Sequence, residues 1–598
     1  MSFSICLQNI LHPGNSYPQE EKVYFHKSDD SKYLDLDGYF NLFYIEKHKK
    51  YTYIQSLSVK LKLRGFEDVI LMHDRDEIAT FSIGDPSKDT EQVYEFPYNK
   101  YDSGVFWVRL KRTVGASEGL NQGGETVSCF NGFFLGEVEK KQPAKILIDI
   151  CTYKREKYVA RNMEHLTDFL DNPGNSEYID ALEVAIIDNG RTLDTYDNLT
   201  TIIDKHKCIT VYPNPNTGGA GGFTRGMKEA LAQKDEKGFT HVLLMDDDAF
   251  FDTEMFVRLF GILWTNREEY KDITIGGALW REDYPYLQFA SGEWFGHFAA
   301  INEMKNLDLR SYEKCTMTGM CTTEFEQQRY SGWWCCCYSL NVVSEDNLPL
   351  SVFVHRDDIE YEVRLRKQGN RIVFLNGIGV WHKAFDSEFL KGKKYYDVRN
   401  TLIYSEIHEP EAVDWFMNSK LRKLMSGTLF FNRYLELYLT YEGVMDYLKG
   451  RDWLFSIDPE LNHKRIAEIT KKHTKYITLD ELPKYGCGNV YEKVKDYIEN
   501  GSSVEEILSN RDQDSRSMTL KEKLTLNGQL LPAKKGAVMI TPQNSNSVGG
   551  YRYKKYLFVE RGNPNILYVK TNYGEVLNMV RMYLKIKSKY SSVNHVLH

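Results

Sequence analysis

The sequence predicts three successive parts: a β-sandwich over residues 1–140, an open α/β sheet domain over 141–400, and a mainly helical region over 401–598. Three observations predict this. Up to about residue 140, short stretches rich in β-branched and aromatic residues are separated by Asp, Gly, Asn and Pro. From Lys145 onward, apolar runs alternate with helical patterns, the texture of a parallel sheet covered on both faces. After Asn400, apolar residues recur at i, i+3 and i+4. At 598 residues the chain is also too long for one core, since single cores stop growing at about 250–300 residues.

In the first part the expected strands are YFNLFYIEK, YIQSLSVKLKLRG, DVILMHD, EIATFSIG, GVFWVRLKR and ETVSCFNGFFLG. In the second, KILIDI, EVAIIDNG, CITVYPN, HVLLMDDD, ITIGGAL and RIVFLNGIGVWH read as strands, with helices over YVARNMEHLTDFL and GGFTRGMKEALAQ. In the third, DWFMNSKLRKLMSGTLFFNRYLELYLTYEGVMDYLK reads as helical and QNSNSVGGYRYKKYLFVERGNPN as loop. EVLNMVRMYLKIKSKY is a final helix with a cationic last turn. No repeat of solenoid length is present.

Composition narrows the function classes. A net charge of −8 without a strongly basic block argues against a nucleic-acid partner. The N-terminus has no basic n-region followed by an apolar h-region, and no uncharged apolar run is long enough to span a bilayer, so a cytosolic protein is expected. Ten cysteines without a CxxC pair or a framework spacing agree with reduced thiols. Cys335, Cys336 and Cys337 are expected to pack in the core, because at most two of three successive strand residues share a face. The 40 Tyr and 31 Phe offer sugar-stacking surfaces, although packing is the commoner fate of any one ring.

Chemistry gathers around LLMDDDAFFD, where Asp246, Asp247 and Asp248 follow an apolar run directly. Neighbouring carboxylates raise one another's pKa, so the arrangement is unfavourable unless a cation or hydrogen-bond donors offset it. In open parallel sheets ligands bind beyond the carboxyl ends of strands, and hard divalent cations are held there by one or two carboxylates plus phosphate oxygens. Taken alone, the triplet fits equally well one helix cap with two solvated acids. Upstream, NPNTGGAGGFTRG sets Asn216, Gly218, Gly219, Gly221 and Gly222 between a strand and a helix, where backbone N–H groups can meet a diphosphate or ribose. It is no P-loop, since Met227 stands where the phosphate-binding Lys would be. Downstream, HRDDIEYEVRLRKQG places Asp357, Asp358 and Glu360 at a helix start, where capping and general-base roles are both open. His382 follows the last core strand beside Trp381, as a core histidine or a metal ligand.

The motifs CTYKR, VAIIDNG, NPNTGGAGG, MDDDAF, SGWWC, RDDIEYEVRLRKQG and VWH occur in the order found in family-2 glycosyltransferases of GT-A (Rossmann-like) fold. In particular, the chain resembles the polymerising galactofuranosyltransferases of mycobacterial cell-wall galactan. That resemblance covers about residues 145–400 by motif and most of the chain by architecture. It implies an inverting, metal-dependent transferase using UDP-galactofuranose. Thr152, Arg155, Asp188 and Asn216, with Asp246 and Asp247, would hold the uridine diphosphate. Asp246, Asp248 and His382 would hold Mn2+ or Mg2+. Asp358, the second acid of its pair, would be the base, and Trp333, Trp334, Glu293 and Asp357 would meet the acceptor. The segment before Arg399 and Asn400 reads KYYDV, without the His of the mycobacterial pattern, which leaves acceptor and linkage open.

Two further expectations concern partners. The cationic and aromatic runs SKLRKL and YLKIKSKY suggest peripheral contact with the inner face of the cell membrane, where a lipid-linked glycan acceptor would be reached. The resemblance implies a homo-oligomer. The alternatives are a transferase for another nucleotide sugar, a glycoside hydrolase with paired carboxylates, or a non-catalytic carbohydrate-binding protein.

Overall fold

The computed structural model describes residues 2–113, 128–317, 319–326, 328–385, 392–513, 518–536, 538–542 and 550–592. Its N-terminal strands are β1 (Phe3–Asn9), β2 (His26–Lys27), β3 (Tyr33–Asp35), β4 (Phe43–Tyr44), β5 (Ser56–Arg64), β6 (Phe66–His73), β7 (Asp76–Ser82), β8 (Thr90–Phe96), β9 (Val105–Arg112) and β10 (Cys129–Val138). They form two antiparallel sheets, ordered β1-β10-β5-β8 and β2-β3-β9-β6-β7 with β4 on β9. This is the expected sandwich. Strand β5 shows why: Leu57, Val59, Leu61 and Leu63 alternate inward at period two while the residues between them stay partly or fully exposed.

One expected strand is corrected. YFNLFYIEK pairs only at Phe43–Tyr44 and then coils into a helix, Ile45–Tyr51. Ile45, His48 and Tyr51 recur at a spacing of three and are buried together, with the His48 ring stacked 4.2 Å from Phe43, so helical spacing outweighs β propensity. The last three residues before Ser128 in ETVSCFNGFFLG lie outside the described residues.

The middle of the chain supplies β11 (Ile146–Thr152), β12 (Leu182–Asp188), β13 (Ile209–Pro213), β14 (His241–Asp246), β15 (Thr274–Arg281), β16 (Leu287–Ala290), β17 (Trp294–Gly296), β18 (Ala299–Ile301), β19 (Leu307–Asp308), β20 (Cys335–Ser339) and β21 (Ile372–His382). The main sheet runs β13-β12-β11-β14-β20-β15-β16-β19, with β21 beside β15. It is mixed rather than wholly parallel. β11 to β14 run parallel, but β20 is antiparallel to both β14 and β15. The reason is the connection: after β15 the chain makes short antiparallel excursions instead of a helical crossover, so β20 enters reversed. Its three cysteines are buried, as expected.

Helix Glu156–Asp171 covers one face of the sheet through Val159, Ala160, Met163, Leu166 and Leu170, in a core continuous with the sandwich. Helices Gly218–Ala232 and Asp357–Lys367 cover the other through Phe223, Met227, Tyr361 and Leu365. This is the α/β layering expected for residues 141–400, a sheet covered by helices on both faces.

C-terminal helices Lys393–His408, Leu421–Phe430, Tyr434–Tyr447 and Gly574–Tyr590 pack around Leu402, Met425, Leu437, Val444 and Ile586. A small sheet joins them, ordered β22-β25-β24-β23, from β22 (Tyr476–Ile477), β23 (Met539–Pro542), β24 (Lys555–Val559) and β25 (Ile566–Lys570). The segment expected as loop therefore contains a strand: the four apolar residues Tyr556 to Val559 are buried between two partner strands that sequence adjacency does not disclose. Among the described residues no helix is long and apolar enough to cross a membrane.

Candidate active site

Because β11, β12 and β14 are parallel and in register, their carboxyl ends meet on one edge. Thr152 pairs with Asp188, and Cys151 with Asp246. β21 runs parallel to β15 and brings His382 to the same edge. Reciprocal backbone bonds between Phe250 and Trp381, 2.8 and 2.7 Å, then pin the loop after β14 against the end of β21. Residues 246 and 382, far apart in sequence, become neighbours by sheet topology alone.

Asp246, Asp248 and His382 each offer a ligand atom within 4.8 Å of the others, the single such group among the described residues. His382 Nδ1 donates to the carbonyl of Lys383 at 2.6 Å, which turns Nε2 toward Asp248 Oδ1, 3.1 Å away. Two carboxylates and one imidazole with a fixed outer nitrogen suit a hard or borderline divalent cation such as Mn2+ or Mg2+. Without an ion the carboxylates lean on His382 and Arg155 instead. Burial pushes Asp246 up to about 6, with the neighbouring carboxylates adding to it. Burial acts the same way on Asp248, but the His382 hydrogen bond and Arg155 hold it down at about 2. His382 is driven down by burial and carried up by Asp248 and Asp246, to about 9.

The third acid has a different place. Asp247 is buried, accepting from Thr152 Oγ1 at 2.6 Å and from Arg155 Nη1 at 2.8 Å. Thr152 and Asp247, expected on the nucleotide, therefore spend their side chains on each other beneath the site. Arg155 bridges to Asp248 Oδ2 at 2.7 Å and stays half exposed, open to an anion. Asp188 is likewise committed inward: its two oxygens accept the backbone N–H groups of Gly190, Arg191, Thr192 and Leu193 at 2.8–3.0 Å, so it shapes the loop after β12. Asn216 accepts from Gly218 N at 3.2 Å at the start of the glycine helix.

The glycines themselves are corrected in part. A Cβ on Gly222 would stand 2.0 Å from Cys151 Sγ, and one on Gly226 2.0 Å from the Asp149 carboxyl, so these two serve close helix–strand packing. Gly219 alone among Gly218, Gly219, Gly221 and Gly222 has open space, its nearest neighbour being Asp357 Oδ2 at 3.9 Å.

Asp357 and Asp358 open helix Asp357–Lys367 and face different ways. Asp357, expected at the acceptor, lies beside Gly219 and feels Asp246; burial, then Asp358, pushes it up to about 8. Asp358 feels Arg356 and in turn raises Glu293 and Tyr330, with burial lifting its own pKa. Glu293 accepts from Tyr330 Oη at 2.8 Å, a partner that sequence reading missed. The twin tryptophans are corrected as well. Trp333 is 5% exposed, donates Nε1 to Tyr338 Oη at 2.8 Å and packs under Phe223 and Tyr361 in the core. Trp334, 8% exposed, donates to Gly277 O at 2.9 Å. Trp333 packs in the core under helix Gly218–Ala232 and Trp334 in the core on the other face of the sheet, so the two rings do not form one platform.

Residues 143–394 match the family model described as glycosyltransferase like family 2. This stretch resembles a family-2 glycosyltransferase domain. It is 23% identical over 436 residues to galactofuranosyltransferase GlfT2 of Mycolicibacterium smegmatis, which covers 70% of this chain and 64% of that protein. Against the Mycobacterium tuberculosis GlfT2 the identity is 23% over 467 residues, covering 74% and 70%. The chain thus spans just under two thirds of the first relative's length. Among solved structures it is similar to the Pyrobaculum calidifontis mannosyltransferase PcManGT in complex with GDP-Man and Mn2+, at 11% identity and TM-score 0.30 over 55% of this chain and 85% of that one. Staphylococcus aureus TarS 1–349 in complex with UDP matches at 12% identity and TM-score 0.29, over 56% and 94%.

Two transferase-domain residues outside the recognised motifs hold the triplet's backbone. Asn162 Nδ2 donates to the carbonyls of Asp247 and Ala249 at 3.0 and 2.9 Å, and Arg161 to Ala249 at 3.0 Å. A legible signal for Asn162 exists: it is an amide on the buried face of an amphipathic helix, seven residues after Arg155.

Proposed function

We propose that the transferase moves galactofuranose from UDP-galactofuranose to a glycan acceptor, with inversion, using residues 141–400 for the chemistry, with 1–140 and 401–598 as flanking domains. The observation that carries this is the gathering of Asp246, Asp248 and His382, with Asp357, the neighbour of Asp358, close enough to Asp246 to feel its charge, in a chain similar to galactofuranosyltransferases. The diphosphate lies against Arg155 and the start of helix Gly218–Ala232, where the positive end of the helix and the open backbone at Gly219 favour an anion, the Gly218 and Ala220 N–H groups being taken by Asn216 Oδ1 and Phe353 O. Asp246, Asp248 and His382 would hold Mn2+ or Mg2+, which when bound neutralises charge on the departing UDP. Asp358 takes the acceptor hydroxyl proton as the oxygen attacks the anomeric carbon from the face opposite UDP. Glu293, anchored by Tyr330, orients the acceptor.

The acceptor is lipid-linked in this reading, and the enzyme works peripherally at the inner face of the cell membrane. Helix Gly574–Tyr590 supports that: Leu577 and Leu584 are 63% and 60% exposed on a face shared with Val580 and flanked by Arg581 and Lys585. The deciding experiment is UDP binding by calorimetry with and without Mn2+, followed by UDP release against a panel of UDP-sugars. Metal-independent or absent UDP binding would remove the transferase chemistry. Preference for a pyranose donor would remove galactofuranose.

A further inference from the structure

The chain enters helix Asp357–Lys367 through a segment of unfavourable backbone. Phe353, His355 and Arg356 stand at φ +75°, +67° and +68°. For bulky side chains this left-handed region is an outlier, and it persists only where the surroundings hold it.

The hold comes from helix Lys393–His408. Asn400 is 2% exposed, and its Nδ2 donates to the carbonyls of Val354 and His355 at 2.8 Å each and of Val352 at 3.1 Å. Its Oδ1 accepts from Arg399 Nε at 2.9 Å, which fixes which way round the amide lies. Arg399 Nη2 also donates to Val352 O at 2.7 Å. Arg356 pairs with Asp397 and donates to Thr401 Oγ1 at 3.1 Å. On its other side the same segment touches the nucleotide end of the site. Phe353 O accepts from Ala220 N at 3.0 Å, and a Cβ on Gly218 would stand 2.1 Å from that oxygen.

We propose that Asn400 is a positioning residue: by locking Phe353, His355 and Arg356 in their left-handed form it fixes Asp358 relative to the first turn of helix Gly218–Ala232, and so the acceptor base relative to the donor. This rests on the reading of Asp358 as base. Without the clamp the segment relaxes to ordinary backbone and the start of the helix turns. A misplacement of about 1 Å lowers turnover by about 10²-fold.

The test is a rescue. Asn400→Ala should lower kcat for UDP release from UDP-galactofuranose by about 10²-fold, with Mn2+-dependent UDP affinity and donor KM held within about threefold. Adding His355→Gly should return at least about tenfold of the loss, because glycine adopts positive φ without a clamp. A purely packing role for Asn400 gives no recovery. Unchanged kcat in Asn400→Ala, or no recovery in the double variant, overturns the proposal. If Asn400→Ala does not fold, Asn400→Ser carries the same comparison. A wild-type protein inactive on every UDP-sugar would defeat the functional reading and not the clamp. Amide hydrogen exchange then decides: Asn400→Ala should speed exchange across residues 353–362 and at Ala220, and unchanged exchange there overturns the clamp.

Discussion

The pH dependence of metal binding follows from the site's own charges. Before an ion enters, His382 titrates at about 9 and Asp246 at about 6. An ion reaches Nε2 only after that nitrogen has lost its proton. At pH 7, about two units below the His382 value, nearly every molecule carries the proton. Each Mn2+ bound should therefore release about one proton, and apparent affinity should sit about 100-fold below its limit, rising about tenfold per pH unit up to 9. Below pH 6 a second proton, from Asp246, steepens the dependence. Calorimetric titration of Mn2+ between pH 6.5 and 8.5, in buffers of different ionisation enthalpy, reads the proton count directly. His382→Gln should bind more weakly and with a nearly flat profile. Stability gives an independent reading. The raised His382 pKa means that its charge stabilises the metal-free fold fully below the ordinary value of about 6.5, and that this is lost as pH rises through 9. Saturating Mn2+ should cancel that loss. Absence of proton release at pH 7, or the same release from His382→Gln, would refute the assignment.

Asp358→Asn should lower turnover by at least about 10²-fold with UDP and Mn2+ binding intact. Asp357→Asn should stay within about threefold near neutral pH, because a carboxyl held at about 8 already carries its proton and an amide mimics it; the reverse ranking in initial-rate assays would reassign the base. Asp149 is buried beneath Gly226 with neither oxygen hydrogen-bonded, and burial raises its pKa well above the ordinary range. Its contribution is most favourable below the unfolded value of about 3.9 and declines as pH rises, so Asp149→Asn should stabilise the protein at pH 8 by about 1 kcal/mol and flatten this part of the pH dependence in denaturant titrations. No gain at pH 8 relative to pH 5 would count against a neutral Asp149. Leu577→Ser with Leu584→Ser should reduce co-sedimentation with anionic vesicles at least tenfold, given about 1.5–3 kcal/mol per buried Leu. Undiminished binding would move the contact elsewhere.

Much of this protein was legible from the sequence alone, because local periodicity is a property of neighbours along the chain. The strands KILIDI, EVAIIDNG and HVLLMDDD, the helix after the glycines, the cationic terminal helix and the sandwich strands all announce themselves by spacing. The triplet's location at a strand end left a cation and a helix cap equally open, and only the other motifs in their order favoured the cation. What the tertiary structure decided is which of the chemically competent residues face the cleft. Sequence cannot say that Thr152 and Arg155 take up Asp247 while Asp246 and Asp248 turn to His382, since that choice depends on three strands meeting in register. Nor can it separate Asp357 from Asp358, because one step along a helix turns a side chain by about 100° and only the packing around it says toward what. The reversed β20, the inward-facing Trp333 and the grip of Asn400 on residues 352–355 share one cause: each depends on contacts between segments far apart in sequence, to which local pattern is blind.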